Sequence, residues 1–340
     1  MADAVATVKI EEALEKTKAA LMAVGWGDKE AGVQAEIMVS AETCGNNQGL
    51  VKMFKPELMA PAKGSGLPTV TKETASTAVV DGNQAPGMLA LKEAVDLAVT
   101  KSEGGTATVG VFNTSTSSGQ LAWYASRAAK AGRVVIITAN SPEFVAAKAG
   151  AKATFGTNPL AFACPVAGGK EEFVFDMSTA AIALFGVLTC KAKGEPLPER
   201  SAYDANGDWT TKVEDVPVGG GAGAIAGWGG HKGLGIALMV ELLCAALSGG
   251  ALLGGDVTKG AAKNWGHTVI AIDPNAMQEG FAQRAAQIIS AVAESHPDGV
   301  RLPGDSSYAI AKKNNDAGTV PVPQNIWDVI QATAAKGASS

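Results

Sequence analysis

The sequence predicts an α/β fold, a mixed sheet with flanking helices plus a helical N-terminal region, and it predicts no standard Rossmann dinucleotide site. Three observations lead there. Thr106 to Phe112 is a β-branched run that ends in a polar loop, 113–119. A helix from Gln120 to Ala131 and a second apolar run, Arg133 to Ala139, follow it, so this stretch has the βαβ pattern. The chain opens on two amphipathic helical segments rather than on a strand. Finally, no GxGxxG follows a first strand, and GxxxxGK[ST], GxSxG and HExxH are also missing.

Composition narrows the function classes. A chain of 340 residues is long for one core, so two closely packed regions are expected. With 46% hydrophobic and 18% charged residues it has the balance of a globular protein. A net charge of -5 and the lack of any long basic run argue against nucleic acid as a partner. The longest apolar stretch, Leu234 to Leu253, contains Glu241 and is flanked by glycines, so it reads as a buried helix and no membrane partner is expected. No secretory signal is visible at the N-terminus. Cys44, Cys164, Cys190 and Cys244 form no CxxC or Cys/His pattern, which fits reduced thiols in a cytoplasmic location and argues against a structural metal.

In chain order, Ile10 to Val24 has apolar residues at helical spacing, and Asp28 can cap a second helix to about Thr43. Residues 44–52 break that helix with Gly and Asn and place Gln48 and Lys52 just beyond its end. Thr69 to Asp81 reads as two short strands, and Met88 to Ser102 as a helix. The 113–119 loop, which includes Thr116 and Ser117, holds more hydroxyl and amide side chains than a helix cap needs. Gly156 to Pro159, with Asn158, and Asp176 to Thr179 are polar breaks beside apolar runs, able to form site loops or ordinary turns. Pro196 to Gly219 has little periodicity and reads as a long surface excursion. Thr268 to Ile272 is a strand, Met277 to Ala293 a helix, Val300 to Asp305 a turn-rich exit, Asn325 to Ala335 a last helix, and the tail 337–340 is expected to be disordered.

The run from Gly219 to Gly250 is the centre of this reading. Its glycines allow close backbone approach to a ligand, and they bring His231 and Lys232 to a helix N-terminus, where unpaired N–H groups and a positive dipole end suit a phosphate. The same glycines also suit a plain connection into a core helix.

Taken together the motifs resemble the type 2 malate/L-lactate dehydrogenase family, which includes ureidoglycolate, sulfolactate and diketogulonate oxidoreductases and cyclic imine-2-carboxylate reductases. They run in order through ValAspGly at 80–82, GlyThrAsnPro at 156–159, PheAspMetSerThr at 175–179, GlyHisLysGly at 230–233 and ArgLeuProGlyAsp at 301–305. The resemblance implies an NAD(P)-dependent oxidoreductase acting on a small carboxylate, a homodimer, and a sheet that binds NAD(H) or NADP(H) without the Rossmann glycines. It implies an NAD(P)-binding α/β domain over 76–299, with 1–75 and 300–340 forming a helical region that carries the substrate loop. It places cofactor contacts on Ser141, Asp176, Met177, Ser178, Thr179, His231, Lys232, Gly304 and Asp305.

The catalytic positions depart from the family. Where it has SerHisGly followed by an arginine, this chain has Asn47, Gln48, Gly49 and then Lys52, and the loop that should carry a second histidine holds only Asn, Thr and Ser before its glycine. Glutamine cannot act as a general acid, and lysine keeps the charge but loses the bidentate fork. The expected site sets Gln48 and Lys52 against substrate with Thr116, Ser117 and Asn158 across from them. Three readings follow: a 2-oxo acid reductase with Lys52 or a hydroxyl as acid, a cyclic imine-carboxylate reductase needing no protein acid, and a cofactor-binding protein without catalysis.

Overall fold

The computed structural model describes residues 5–46, 48–169, 172–254 and 264–337. Asn47 and the tail beyond Gly337 lie outside them. In chain order the strands are β1 (Val5–Lys9), β2 (Thr69–Glu73), β3 (Thr77–Asp81), β4 (Thr106–Thr114), β5 (Val134–Ala139), β6 (Val145–Ala146), β7 (Ala153–Phe155), β8 (Leu160–Pro165), β9 (Glu172–Met177), β10 (Ala202–Tyr203), β11 (Trp209–Thr210), β12 (Ala224–Ala226), β13 (Trp265–Ile272) and β14 (Thr319–Pro323). The α-helices are α1 (Ile10–Ala23), α2 (Asp28–Thr43), α3 (Gly87–Lys101), α4 (Leu121–Lys130), α5 (Leu184–Lys193), α6 (His231–Glu241), α7 (Phe281–Ala293), α8 (Asp305–Ala317) and α9 (Gln324–Gly337).

The main sheet runs β2-β3-β4-β13-β5-β8-β9. Its only parallel pair is β3 with β4. The expected β4-α4-β5 unit forms, but β13 inserts between the two strands and pairs antiparallel with both. No local pattern announces that insertion, because it depends on a segment more than a hundred residues downstream.

Alternation decides which face of this sheet is covered. Val109, Val111, Val135, Ile137, Val269 and Ala271 are fully buried in one cluster with α1, α2, α3, α4 and α9. That core is continuous across residues 75 and 76, since Leu21, Ile37 and Ile330 share it with the sheet. On the opposite face, Thr138 meets Cys244, and Ser248 shares a hydroxyl hydrogen bond with Thr268 at 2.8 Å. The segment that continues α6 in wider π-type turns, Leu242–Leu247, therefore packs there.

A second sheet, β11-β10-β12-β6-β7, has its own small core with Val145, Val187, Leu197 and Ile225. The stretch 196–219 belongs to it, contributing β10, β11 and two 3-10 turns rather than a loose excursion. Its short strands pair over only two residues, too few for periodicity to show. The 300–317 region also differs from expectation, because the turn at 301–304 opens directly into α8.

The Leu234–Leu253 stretch is the clearest correction. Glu241 is buried, while Leu238, Leu242, Leu247 and Leu252 are exposed, with Leu242 at 56% and Leu247 at 61%. Glu241 is held by polar partners: it accepts from Asn158 Nδ2 at 3.0 Å, from Asn140 Nδ2 at 3.4 Å and from the backbone N–H of Leu253 at 2.8 Å. The leucines find no cover among the described residues. None of the helices built from described residues is long and apolar enough to cross a membrane.

Candidate active site

The loop after α2 is shaped by one glycine. A side chain at Gly49 would collide with the backbone oxygen of Met38 and the carboxylate of Glu42, so only glycine lets the chain fold back over the helix end. Glu42 accepts a hydrogen bond from the backbone of Leu50, and burial raises its pKa to about 7. Asn46 Oδ1 accepts from the N–H of Gln48 at 2.9 Å, and a 3-10 turn, Leu50–Phe54, then carries Lys52 inward. Facing it, the hydroxyl loop is tied down on two sides. Gly87 N–H donates to Thr116 O at 3.1 Å, and the buried Tyr124 hydroxyl donates to Ser118 O at 2.6 Å.

These two loops meet. Lys52 Nζ donates to Ser117 Oγ at 2.7 Å and to Gln48 Oε1 at 3.3 Å, and sits 4.9 Å from the centre of the Phe185 ring. Only 7% exposed and without a carboxylate partner among the described residues, it has its pKa lowered by burial to about 8. An ammonium held this way, with one donor direction left over, is arranged to receive an anion. Gln48 accepts from Lys52, so its amide N–H groups are left for a ligand.

A cleft of about 730 Å³ opens from this cluster. Gln48, Lys52, Thr116 and Ser117 line it, with Phe54, Leu58, Met59, Leu184 and Phe185 as apolar walls. Ser141, Asp176, Met177 and Ser178 line it as well. Asp176 comes from the edge strand β9, and its Oδ2 accepts from Ala122 N–H at 3.0 Å at the start of α4. Burial raises its pKa to about 6, against the lowering effect of the Ala122 and Leu121 backbone hydrogen bonds. Ser141 Oγ accepts from Thr157 N–H at 3.0 Å, and Ser178 Oγ donates to Thr157 O at 3.0 Å, which fixes the 156–159 turn against both strands.

Six expected site residues stand elsewhere. Asn158 does not face Lys52: its side chain is fully buried, donating to Ala237 O at 3.1 Å and to Glu241, so it anchors α6 beneath the site. Thr179 is likewise buried and staples the same turn through Thr157 O and Asn158 O, both at 3.1 Å. His231 and Lys232 are exposed at the α6 N-terminus, outside the cleft lining. Gly304 lies against the Val174 carbonyl of β9, where a side chain would not fit, and Asp305 accepts from Leu302 N–H at 2.8 Å as a turn brace. Four glycines of the 219–233 loop have a packing cause, while Gly220, Gly227 and Gly230 face open space. Side chains at Gly219, Gly221, Gly223 and Gly233 would strike the backbone of Val213, Asp215, Tyr203 and Trp228, so close chain approach, not ligand approach, demands them.

Sequence reasoning missed Phe54, Leu58, Phe185 and Trp265 on the cleft wall. Phe54 and Leu58 carry one signal, apolar side chains left exposed in a loop between polar turns. Phe185 carries none, since it sits in an apolar helix start. None of the three histidines lines the cleft. His267 is buried in β13, where burial lowers its pKa to about 4 and keeps it neutral.

The cleft thus brings together a buried cation with hydroxyl and amide neighbours and a carboxylate from a sheet edge. Residues 8–331 match the malate/L-lactate dehydrogenase family model, and the chain belongs to that family of oxidoreductases. It is 30% identical over 338 residues to the (2R)-3-sulfolactate dehydrogenase (NADP(+)) of Chromohalobacter salexigens, covering 96% of this chain and 98% of that protein. Over 199 residues it is 37% identical to the Delta(1)-pyrroline-2-carboxylate reductase of Pseudomonas fluorescens, 56% of each chain. The solved delta1-piperideine-2-carboxylate reductase of Pseudomonas syringae pvar. tomato superposes with a TM-score of 0.84 at 28% identity, covering 96% of this chain and 99% of that one.

Proposed function

We propose that the protein is an NAD(P)-dependent reductase of a small carboxylate, with the substrate carboxylate bound by Lys52. The observation that carries this reading is the Lys52 ammonium, buried without a counter-charge among the described residues and fixed by Gln48 and Ser117 on the cleft wall. A buried cation left unpaired is costly, and an anionic ligand removes the cost. The cofactor fits the residues present: hydroxyls of Ser141 and Ser178 and the carboxylate of Asp176 suit a ribose and an amide, and the cleft has room for the nicotinamide half beside a small substrate. Lys232 at the α6 N-terminus is suited to a phosphate beyond it. The bound reduced nicotinamide supplies a hydride.

For a 2-oxo acid, the remaining chemistry is one proton to the carbonyl oxygen. Lys52, with its pKa brought down to about 8, is a better donor than an ordinary lysine, and Ser117, already accepting from it, can pass the proton on. A second reading, a cyclic imine carboxylate, is favoured by the absence of any histidine from the cleft lining, because a protonated imine needs no acid from the protein. Following nicotinamide absorbance with pyruvate, 2-oxobutyrate, oxaloacetate and small cyclic imine carboxylates, with both cofactors, tests the proposal. Turnover of one class is expected, and cofactor binding with no turnover of any of them would favour the non-catalytic reading.

The exposed Leu238, Leu242, Leu247 and Leu252 support a homodimer packed across α6. The four cysteines, all free, support a reducing, cytoplasmic location.

A further inference from the structure

The relatives named for malate or sulfolactate handle compounds with two acid groups, and two anions need two cationic or strongly donating ends. Among the described residues lining this cleft, Lys52 is the only cation and Asp176 the only carboxylate. Part of the wall around Lys52 is apolar: Phe54, Leu58, Met59, Leu184 and Phe185 make it, the Phe185 ring lies directly beside the ammonium, and Gln48, Thr116 and Ser117 are the polar neighbours. A substrate carboxylate on Lys52 therefore leaves its own side chain against aromatic and aliphatic surface. There a methyl or methylene is well placed, while a second carboxylate against that apolar wall meets no cation among the described lining residues.

Resting on the Lys52 reading above, we propose that the cleft selects a monoanionic substrate with an apolar body, and that Phe185, helped by Phe54 and Leu184, rejects compounds carrying a second acid group. The discrimination lies in what the wall lacks. A site that leaves a charged group unpaired discriminates far more steeply than one that merely misfits a methyl group.

The test compares 2-oxobutyrate with oxaloacetate, which share a four-carbon skeleton and differ in a terminal methyl against a carboxylate. Calorimetric binding is measured on the enzyme saturated with oxidised cofactor, so that no hydride is available and turnover does not intervene. The wild type is expected to bind 2-oxobutyrate at least about tenfold more tightly, and Phe185→Arg to reverse the order. Phe54→Arg, at a half-exposed position that tolerates charge, is the second variant should Phe185→Arg fail to fold, and it should shift the ratio the same way. Equal or tighter binding of oxaloacetate to the wild type, no measurable binding of 2-oxobutyrate, or an unchanged ratio in both folded arginine variants would overturn the proposal. Lys52→Met separates the two levels: unchanged 2-oxobutyrate affinity there would remove the carboxylate site itself rather than the selection built on it.

Discussion

Replacing Lys52 by methionine should damage binding and improve stability at once. Burial lowers the Lys52 pKa from 10.5 to about 8, which at 1.36 kcal/mol per unit means that holding the charge in the folded state costs about 3 kcal/mol. The sign follows from proton counting. Between pH 8 and 10.5 the unfolded chain holds the proton and the folded one does not, so this group's contribution to stability rises with pH across that window, and below pH 8 the whole cost is present. Methionine fills similar space with no charge, so Lys52→Met should raise the melting temperature at pH 7. The same change removes a charge-assisted contact to the substrate carboxylate, worth roughly 1.5 to 3 kcal/mol, so kcat/KM should fall roughly 10- to 150-fold. In the wild type kcat/KM should also decline as pH rises through about 8, when Lys52 in the free enzyme loses its proton. Lys52→Arg keeps its charge, and that alkaline limb should vanish even if the overall rate is lower. Steady-state kinetics across pH and thermal unfolding of both variants check this. An unchanged kcat/KM in Lys52→Met, or the same limb in Lys52→Arg, would refute the reasoning.

Three further outcomes are expected. Gln48→His should raise turnover roughly 10²- to 10⁴-fold on a 2-oxo acid if an acid is what the site lacks, and should give no large gain on a cyclic imine; rates on both substrates decide between the readings. Glu241→Ala should lower stability by about 3 kcal/mol in urea unfolding, because it strands the Asn158 and Asn140 amides and the Leu253 N–H; an unchanged midpoint would show that water replaces the carboxylate freely. Light scattering should give a dimer for the wild type and a monomer for Leu242→Asp, whereas a monomeric wild type would leave the exposed leucines unexplained.

The sequence made some of this legible and hid the rest for physical reasons. Helices with one apolar stripe, such as α3 and α4, and β-branched strands such as β4 and β13 could be read because their periods are local. Gln48, Lys52 and Ser117, which the resemblance sets in one site, lie within hydrogen-bond reach of one another. Asn158 misled because a polar residue in a turn between strands looks the same whether it faces a cleft or a buried glutamate 83 positions away. Leu238 and Leu242 misled because apolar periodicity reports that a helix face is covered, not whether its own chain covers it. The glycine-rich run left both readings open, since close contact between chain segments needs glycine as much as contact with a ligand does.

The most direct measurement is a crystal structure of the enzyme with oxidised nicotinamide cofactor and oxamate, an unreactive analogue of a small 2-oxo acid. The account predicts the oxamate carboxylate in hydrogen-bonding contact with Lys52 Nζ, Ser117 and Gln48 alongside it, and the nicotinamide ring in the cleft between that cluster and Asp176. A carboxylate bound elsewhere, with Lys52 still directed only at Ser117 and Gln48, would contradict it.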